Sequence, residues 1–254
     1  MPVRHDLPGV GANLQDHVDV SLRQASDVAC SMTGLLWEPR RTLTGLRWLL
    51  GRRGLAATNH FEAQGYLRSR DGLALPNIQL CFIPLLVGAD GRPIGRRHGY
   101  QATVMLLRPS SRGRVAIAGA DPALPPRLLF NYLGDPDEVA QLVEGLQAVR
   151  RIFAQPAFRR FDAGELEPGP AARDDAALAG FVRRTAKSTH HPCGTCRMGA
   201  PDDPDAVVDP AGRVHGLEGL RVADASIMPV LTRGNINAPV LMLAEKLAAA
   251  IAGP

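Results

Sequence analysis

The strongest hydrophobic pattern in the chain is an apolar stripe with helical spacing that follows Asp135. Its residues recur at intervals of three and four, which predicts a helix with one buried face. Asp135 can cap this helix, Pro136 suits its first turn, and Asp137 and Glu138 favour its positive end. The stripe consists of Val139, Leu142, Val143, Leu146, Val149, Ile152 and Phe153.

Four short segments before this helix are apolar, rich in β-forming residues and separated by turn residues, which predicts an antiparallel sheet on which the stripe packs. These segments are Phe61–Ser69, Ile78–Val87, Tyr100–Arg108 and Arg114–Ala118. Weaker patterns predict helices at about Trp37–Leu50 and Asp174–Lys187. A last helix begins near Ala238 and has so little polarity on any side that we expect it to be buried. The predicted fold class is α+β, with an antiparallel sheet covered by helices.

Composition narrows the functional classes. The 254 residues are 45% hydrophobic, enough for a sizeable core, and the net charge of +4 comes from arginines spread along the chain. That distribution is typical of a solvated surface, so we expect no nucleic-acid partner. No apolar stretch approaches the roughly 20 residues of a membrane span. The cysteines lack disulfide-framework spacing, so we expect a cytoplasmic protein.

Two polar clusters in the last third of the chain carry the candidate chemistry. They are His190–Gly199 and Arg233–Pro239, with Val222–Ser226 between them. An imidazole brought together with a carboxamide can take a proton from an alcohol and hold the oxygen that remains. The clusters therefore predict an enzyme that oxidises alcohols.

An ordered series of motifs supports this interpretation. His191-Pro-x-Gly-Thr-x-x-Met-Gly is followed by Val208-Asp-x-x-x-Arg-Val-x-Gly, Asp224-Ala-Ser-x-Met-Pro and Gly234-Asn-x-Asn-Ala-Pro, while Asp6–His17 carries a further motif near the start. The series resembles the glucose/methanol/choline (GMC) family of flavin-dependent oxidoreductases over the whole chain. Two other segments, Asn59–Ala63 and Arg108–Gly113, look most like its choline dehydrogenase branch.

The resemblance implies roles for particular residues. The histidine before the proline, His191, would be the catalytic acid/base, and Asn235 would be its partner. Asp224 and Ala225 would touch the cofactor FAD. Pro239, with its neighbours Asn237 and Ala238, would direct the positive end of the last helix at the flavin.

The resemblance also implies two residues that face the substrate, a small alcohol. Glu62 matches a carboxylate that faces the ammonium group in choline-oxidising relatives, although a salt-bridged structural glutamate fits its position equally well. His190 stands where those relatives place an aromatic residue, and a packed structural imidazole is an equal alternative. A choline site also favours aromatic rings, whereas this chain is only 5% aromatic.

Cys193-x-x-Cys196 beside the two histidines imitates half of a zinc site. No second cysteine pair exists to complete a tetrahedral shell. We therefore expect no metal.

The FAD-binding half of the family fold is missing from the sequence. That half begins with Gly-x-Gly-x-x-Gly, and Gly9-Val10-Gly11 does not qualify because Leu14 holds the third glycine's position. We expect residues 1–17 to be a remnant of an FAD-binding domain, 18–187 a substrate-binding domain, and 188–254 a catalytic segment that returns to the FAD-binding domain.

Three hypotheses follow from this gap. We favour the C-terminal portion of an FAD-dependent alcohol dehydrogenase, separated from its flavin domain by a misplaced start, a frameshift or fragmentation, and inactive alone. The alternatives are a cofactor-free binding module or pseudogene product, and one subunit of a split flavoenzyme whose partner is a separate flavin-binding domain.

Overall fold

The computed structural model describes residue 3 and residues 5–88 and 90–253. Its helices are α1 (Arg40–Gly51), α2 (Pro136–Phe153), α3 (Asp175–Thr185) and α4 (Asn237–Ala252). Its strands are β1 (Val18–Ala25), β2 (Ala63–Leu67), β3 (Ile78–Ile83), β4 (Gly99–Leu106), β5 (Arg114–Ala116), β6 (Arg127–Leu129), β7 (Glu165–Glu167) and β8 (Lys187–Ser188). The α+β class with antiparallel strand pairs is confirmed.

The chain forms two compact units. Unit 1 contains the described residues up to Val18, Leu107–Glu138, and those from Ser188 onward. Unit 2 contains Asp19–Leu106 and Val139–Lys187. The functional division into domains remains a prediction.

The main sheet of unit 2 has the strand order β2-β3-β4-β1-β7, with β8 also paired to β1. β3 lies antiparallel to both β2 and β4. β1 was not predicted, and all eight of its residues are buried although polar and apolar residues alternate along it. Two of its polar side chains have polar partners. The hydroxyl of Ser21 lies 3.1 Å from the hydroxyl of Thr103, and Arg23 forms an ion pair with Glu167.

The predicted stripe on α2 is confirmed. Six of its seven residues are buried and only Ile152, at 41% exposed, is not. Asp135 caps the helix as expected, since its carboxylate accepts a hydrogen bond from the backbone N–H of Asp137 at 2.9 Å. The helix comes close to β4 at Gly145, where a Cβ atom would lie 2.4 Å from Cγ1 of Val104.

Two predictions about the remaining elements were wrong. The segment at Arg114–Ala118 forms β5, which pairs with β6 in a separate two-stranded sheet of unit 1 and does not join the main sheet. The last helix, α4, starts as expected, but Leu247 is its only buried residue. Leu241, Met242 and Ile251 are each more than half exposed.

None of the helices in the described ranges is both long enough and apolar enough to span a bilayer.

Gly145→Ala tests how tightly α2 packs on the sheet. Alanine favours a helix by up to about 1 kcal/mol over glycine, but the new methyl group collides with Val104, and overpacking costs about 1–3 kcal/mol. We expect a net loss of about 1 kcal/mol in the free energy of unfolding, measured by urea denaturation.

Gly45→Ala in α1 is the matched control, because no heavy atom lies within 4 Å of its added Cβ atom. It should leave stability unchanged or raise it. Equal stabilisation by both substitutions would show that Val104 does not constrain the helix.

Candidate active site

Two segments of unit 1 that are distant in sequence pair through their backbones. Gln15 exchanges hydrogen bonds with Cys193, at 3.0 and 2.9 Å, and the N–H of Thr189 donates to the carbonyl of His17 at 3.1 Å. The pairing brings the motif near the start of the chain to the His190–Gly199 cluster.

His17 is completely buried and contacts His191 directly. Its Nε2 atom lies 3.1 Å from the carbonyl oxygen of Leu107 and 3.0 Å from that of Thr232. Its Nδ1 atom lies 2.9 Å from Nδ1 of His191. Burial, with a smaller contribution from the neighbouring His191, lowers the pKa of His17 to about 4.

His191 is half-buried and held from several sides. Its backbone N–H donates to the carboxylate of Asp16 at 2.9 Å, and its Nδ1 atom lies 3.0 Å from the hydroxyl of Thr189. Burial lowers the pKa of His191, the charge of Asp16 opposes this, and His190 adds to it. The ring is therefore neutral at neutral pH.

Asp16 is a buried carboxylate that fixes this segment. Its Oδ2 atom accepts hydrogen bonds from the hydroxyls of Tyr132 and Ser188, both at 2.5 Å. Burial, together with the hydrogen bond to Asp16, raises the pKa of Tyr132, so its hydroxyl stays protonated and donates. Asp16 thus orients the backbone of His191 without touching its ring nitrogens.

The segment that carries Asn235 is anchored to the same part of the chain. The side chain of Gln15 donates to the carbonyl of Pro229 at 3.1 Å and accepts from the N–H of Leu231 at 3.2 Å. Ile236, next to Asn235, packs in one apolar cluster with Cys193. The structure therefore brings the segments of His191 and Asn235 together, and Asn235 itself is exposed.

The residues predicted to touch the cofactor lie in unit 1 as well. Asp224 caps a 3-10 turn at Ala225–Ile227 by accepting from the N–H of Ser226 at 2.7 Å. Asp224 and Ala225 line a cavity of about 400 Å³ whose walls include Leu14 and Phe130.

The start of α4 suits a negatively charged group. Asn237 and Ala238 are its first residues and are exposed, and Pro239 is the third. No side chain caps this end, and its first turn contains no acidic residue. An uncapped helix N-terminus attracts negative charge through its free N–H groups and its dipole.

The two residues predicted to face the substrate lie in different units. His190 in unit 1 is exposed, and its backbone, at a φ of 63°, lies in the left-handed region. Glu62 in unit 2 is exposed, precedes β2 and accepts from the hydroxyl of Thr58 at 3.3 Å. It lines a cavity of about 510 Å³ together with Arg40 and His98.

The two cysteines near His191 are protonated thiols. Burial raises the pKa of Cys193 to about 12 and also raises that of Cys196. Within the described ranges, no group of three or more histidine, cysteine or acidic side chains is placed to hold a metal ion.

Sequence reasoning gave no role to Asp16 and His17. Both belong to the Asp6–His17 motif, which carried part of the family resemblance, and that motif was the available signal. Their partners lie far along the chain, so no local pattern points to the contacts.

The GMC oxidoreductase family profile matches residues 109–244. Over 253 residues the chain is 42% identical to the oxygen-dependent choline dehydrogenase 1 of Chromohalobacter salexigens and 45% identical to the oxygen-dependent choline dehydrogenase of Paraburkholderia xenovorans. Both matches cover all of this chain but only 45% of the relative's length.

Solved structures agree with this assignment. One match is a structure of formate oxidase from Aspergillus oryzae that concerns its FAD modification. It has a TM-score of 0.87 and 25% identity, and the match covers 97% of this chain and 48% of that chain. A pyridoxine 4-oxidase from Mesorbium loti matches with a TM-score of 0.77 at 31% identity, over 96% and 43%. These relatives support FAD as the cofactor. The chain belongs to the GMC oxidoreductase family, and its fold is similar to the C-terminal domain of that family.

Proposed function

We propose that this chain supplies the substrate side and the acid/base residue of an FAD-dependent oxidoreductase that acts on CH–OH groups and resembles choline dehydrogenase. The observation that carries the proposal is the contact between His17 and His191, because it determines which nitrogen of His191 can accept a proton.

The proton positions follow from the partners of His17. Carbonyl oxygens only accept hydrogen bonds, so the proton of neutral His17 lies on Nε2, which faces Leu107 and Thr232. Its Nδ1 atom is then an acceptor, and His191 must donate from its own Nδ1. This leaves the Nε2 atom of His191 with a lone pair, which is the form that a general base requires.

His191 then takes the hydroxyl proton of the alcohol onto Nε2 while the α-hydrogen leaves as hydride. Asn235 donates an amide N–H to the developing alkoxide, which is worth about 3 kcal/mol if it resembles other oxyanion donors. When bound, FAD accepts the hydride. Asp16 and His17 act as positioning residues, because they orient His191 and do not touch the substrate.

Five residues would hold the cofactor. Asp224 and Ala225 line the cavity of about 400 Å³, and Asn237, Ala238 and Pro239 form the start of α4. The uncapped N-terminus of α4 favours negative charge on a flavin placed before it.

The chain spans about 45% of the length of its relatives, so the proposal includes a flavin-binding half, missing here or supplied as a separate chain. The exposed apolar side chains of α4 support this, because a helix that is apolar on all sides is normally covered by protein. The chain alone is inactive in this proposal.

We place the protein in the cytoplasm, which its four free cysteines support.

The test joins this chain to the flavin-binding half of a choline dehydrogenase relative. We expect His191→Ala to slow flavin reduction by an alcohol at least about 100-fold, the usual contribution of a general base, with little change in substrate affinity. In the unsubstituted protein, the rate should rise with pH through a transition below 6.5, because burial lowers the pKa of His191. Stopped-flow absorbance of the flavin measures both.

Two results would contradict this role: an unchanged reduction rate in His191→Ala, or a pH profile without that transition. The unjoined chain is the control for the missing half. After mixing with FAD and desalting it should be colourless, and retention of one flavin per chain would mean that no further half is needed.

The free energy of unfolding should also depend on pH, because His17 has different pKa values in the folded and unfolded chain. Its pKa of about 4 in the folded protein lies below the ordinary 6.5, so the unfolded chain binds more protons between these values. Stability is therefore complete above pH 6.5 and falls by up to about 3 kcal/mol as the pH drops towards 4. In His17→Gln this part of the dependence should vanish, as urea denaturation across that range can measure. Parallel curves for both proteins would show that His17 does not titrate this way.

Glu62 decides between cationic and neutral substrates. If its carboxylate faces the ammonium group of choline, Glu62→Gln in the joined protein should raise KM for choline about tenfold and leave primary aliphatic alcohols unaffected. Glu218→Gln, at an exposed site in unit 1, is the control of equal charge change. Equal effects on choline and aliphatic alcohols would assign Glu62 a structural role.

A further inference from the structure

Two side chains of opposite charge face one cavity of unit 2 without pairing with each other. Arg40 and Glu62 both line the cavity of about 510 Å³. Within the part of the chain that the structure describes, neither of them forms an ion pair. Glu62 accepts a hydrogen bond from the hydroxyl of Thr58 at 3.3 Å, and its charge is not neutralised there. The cavity therefore offers a ligand one negative and one positive pole.

The positive pole contains a second nitrogen group. Arg40 is the first residue of α1, and its guanidinium lies beside Gly34 in the 3-10 turn before that helix. A Cβ atom at Gly34 would lie 3.4 Å from Nη1 of Arg40 and 3.8 Å from Nε2 of His98. Nitrogen atoms from two separate segments thus converge on a position without a side chain, which leaves room for a ligand between them.

The ring of His98 is held on its other side by Ser31. Its Nδ1 atom lies 2.8 Å from the hydroxyl of Ser31. That hydroxyl also lies 3.0 Å from the hydroxyl of Thr33, so its proton can go to either neighbour. An anion beside Arg40 selects the arrangement in which Ser31 donates to Nδ1, because the ring proton of His98 then lies on Nε2 and donates to the anion.

The two poles favour a ligand that carries both charges. A ligand with only a positive charge is attracted by Glu62 and repelled by Arg40. A ligand with only a negative charge has the opposite problem. A carboxylate suits the positive pole, because the planar fork of an arginine donates two parallel hydrogen bonds to it. An ammonium group on the same molecule can then contact Glu62.

We propose that this cavity binds a zwitterionic alcohol, which carries an ammonium group and a carboxylate on either side of its CH–OH group. Glu62 contacts the ammonium group, and Arg40 and His98 bind the carboxylate. This inference rests on the proposed function and names its substrate class. The reaction is the same: the hydride passes to FAD, the hydroxyl proton passes to the general base, and the alcohol becomes a carbonyl compound.

Binding to the chain alone tests the cavity without any flavin. Isothermal titration calorimetry can compare carnitine, which has both charges, with choline, which has only the ammonium group, and 4-hydroxybutyrate, which has only the carboxylate. We expect carnitine to bind at least about tenfold more tightly than either of the others, because each lacks one charge-assisted contact.

Substitutions should remove the two poles separately. Arg40→Gln should weaken carnitine binding about tenfold and leave choline binding unchanged or tighter, because it also removes a repulsion. Glu62→Gln should weaken the binding of both. Arg47→Gln is the matched control, because it makes the same charge change on the same helix at an exposed residue that does not line the cavity, and it should bind carnitine normally. Circular dichroism checks that each variant is folded.

The protein joined to a flavin-binding half extends the test to turnover. Its flavin should be half-reduced, in stopped-flow measurements, at a carnitine concentration about tenfold below that of choline. Arg40→Gln should abolish this preference.

Equal affinity for carnitine and choline would overturn the inference, as would carnitine binding that Arg40→Gln leaves unchanged. If the joined protein still oxidised choline in that case, the proposed function would stand. A joined protein that oxidises no alcohol, while the chain binds carnitine through Arg40 and Glu62, would contradict the proposed function and support the zwitterion site.

Discussion

The candidate site depends on one buried imidazole. His17 has no exposed surface, and it gives its only proton to two backbone carbonyls, so its other nitrogen can only accept. Protonation would place a second hydrogen on that nitrogen, facing the donor of His191 at 2.9 Å. Burial prevents this by lowering the pKa of His17 to about 4. Burial therefore keeps His17 neutral, and the acceptor nitrogen that remains orients the ring of His191.

Three consecutive residues, Gln15, Asp16 and His17, hold the segments of His191 and Asn235 in place. Gln15 and His17 both reach the Pro229–Thr232 segment before Asn235. Asp16 and His17 both reach His191, Asp16 at the backbone N–H and His17 at the ring, and Asp16 also reaches Ser188. A short stretch of chain can thus position the segments of both members of the proposed catalytic pair, which are 44 residues apart in sequence.

The sequence predicted the features that local physics determines. The cap at Asp135 and the stripe of α2 depend on neighbours within one helix, and both were found. β1 was not predicted, although its alternating polarity is typical of a strand with one exposed face. That pattern does not show that the polar face is buried as well, because Arg23 is buried through a partner 144 residues away. His191 was predicted as a site residue from its motif, whereas the contacts of His17 involve partners 90 to 215 residues distant. Local pattern contains no information about such contacts.

The composition of α4 determines what kind of surface can cover it. The helix is apolar on most sides and its only charged residues are Glu245 and Lys246, so a dry protein surface suits it. Its uncapped N-terminus adds a preference for negative charge beside that surface. A flavin held by a covering protein half satisfies both requirements, because the same partner then supplies the apolar contact and the negative charge.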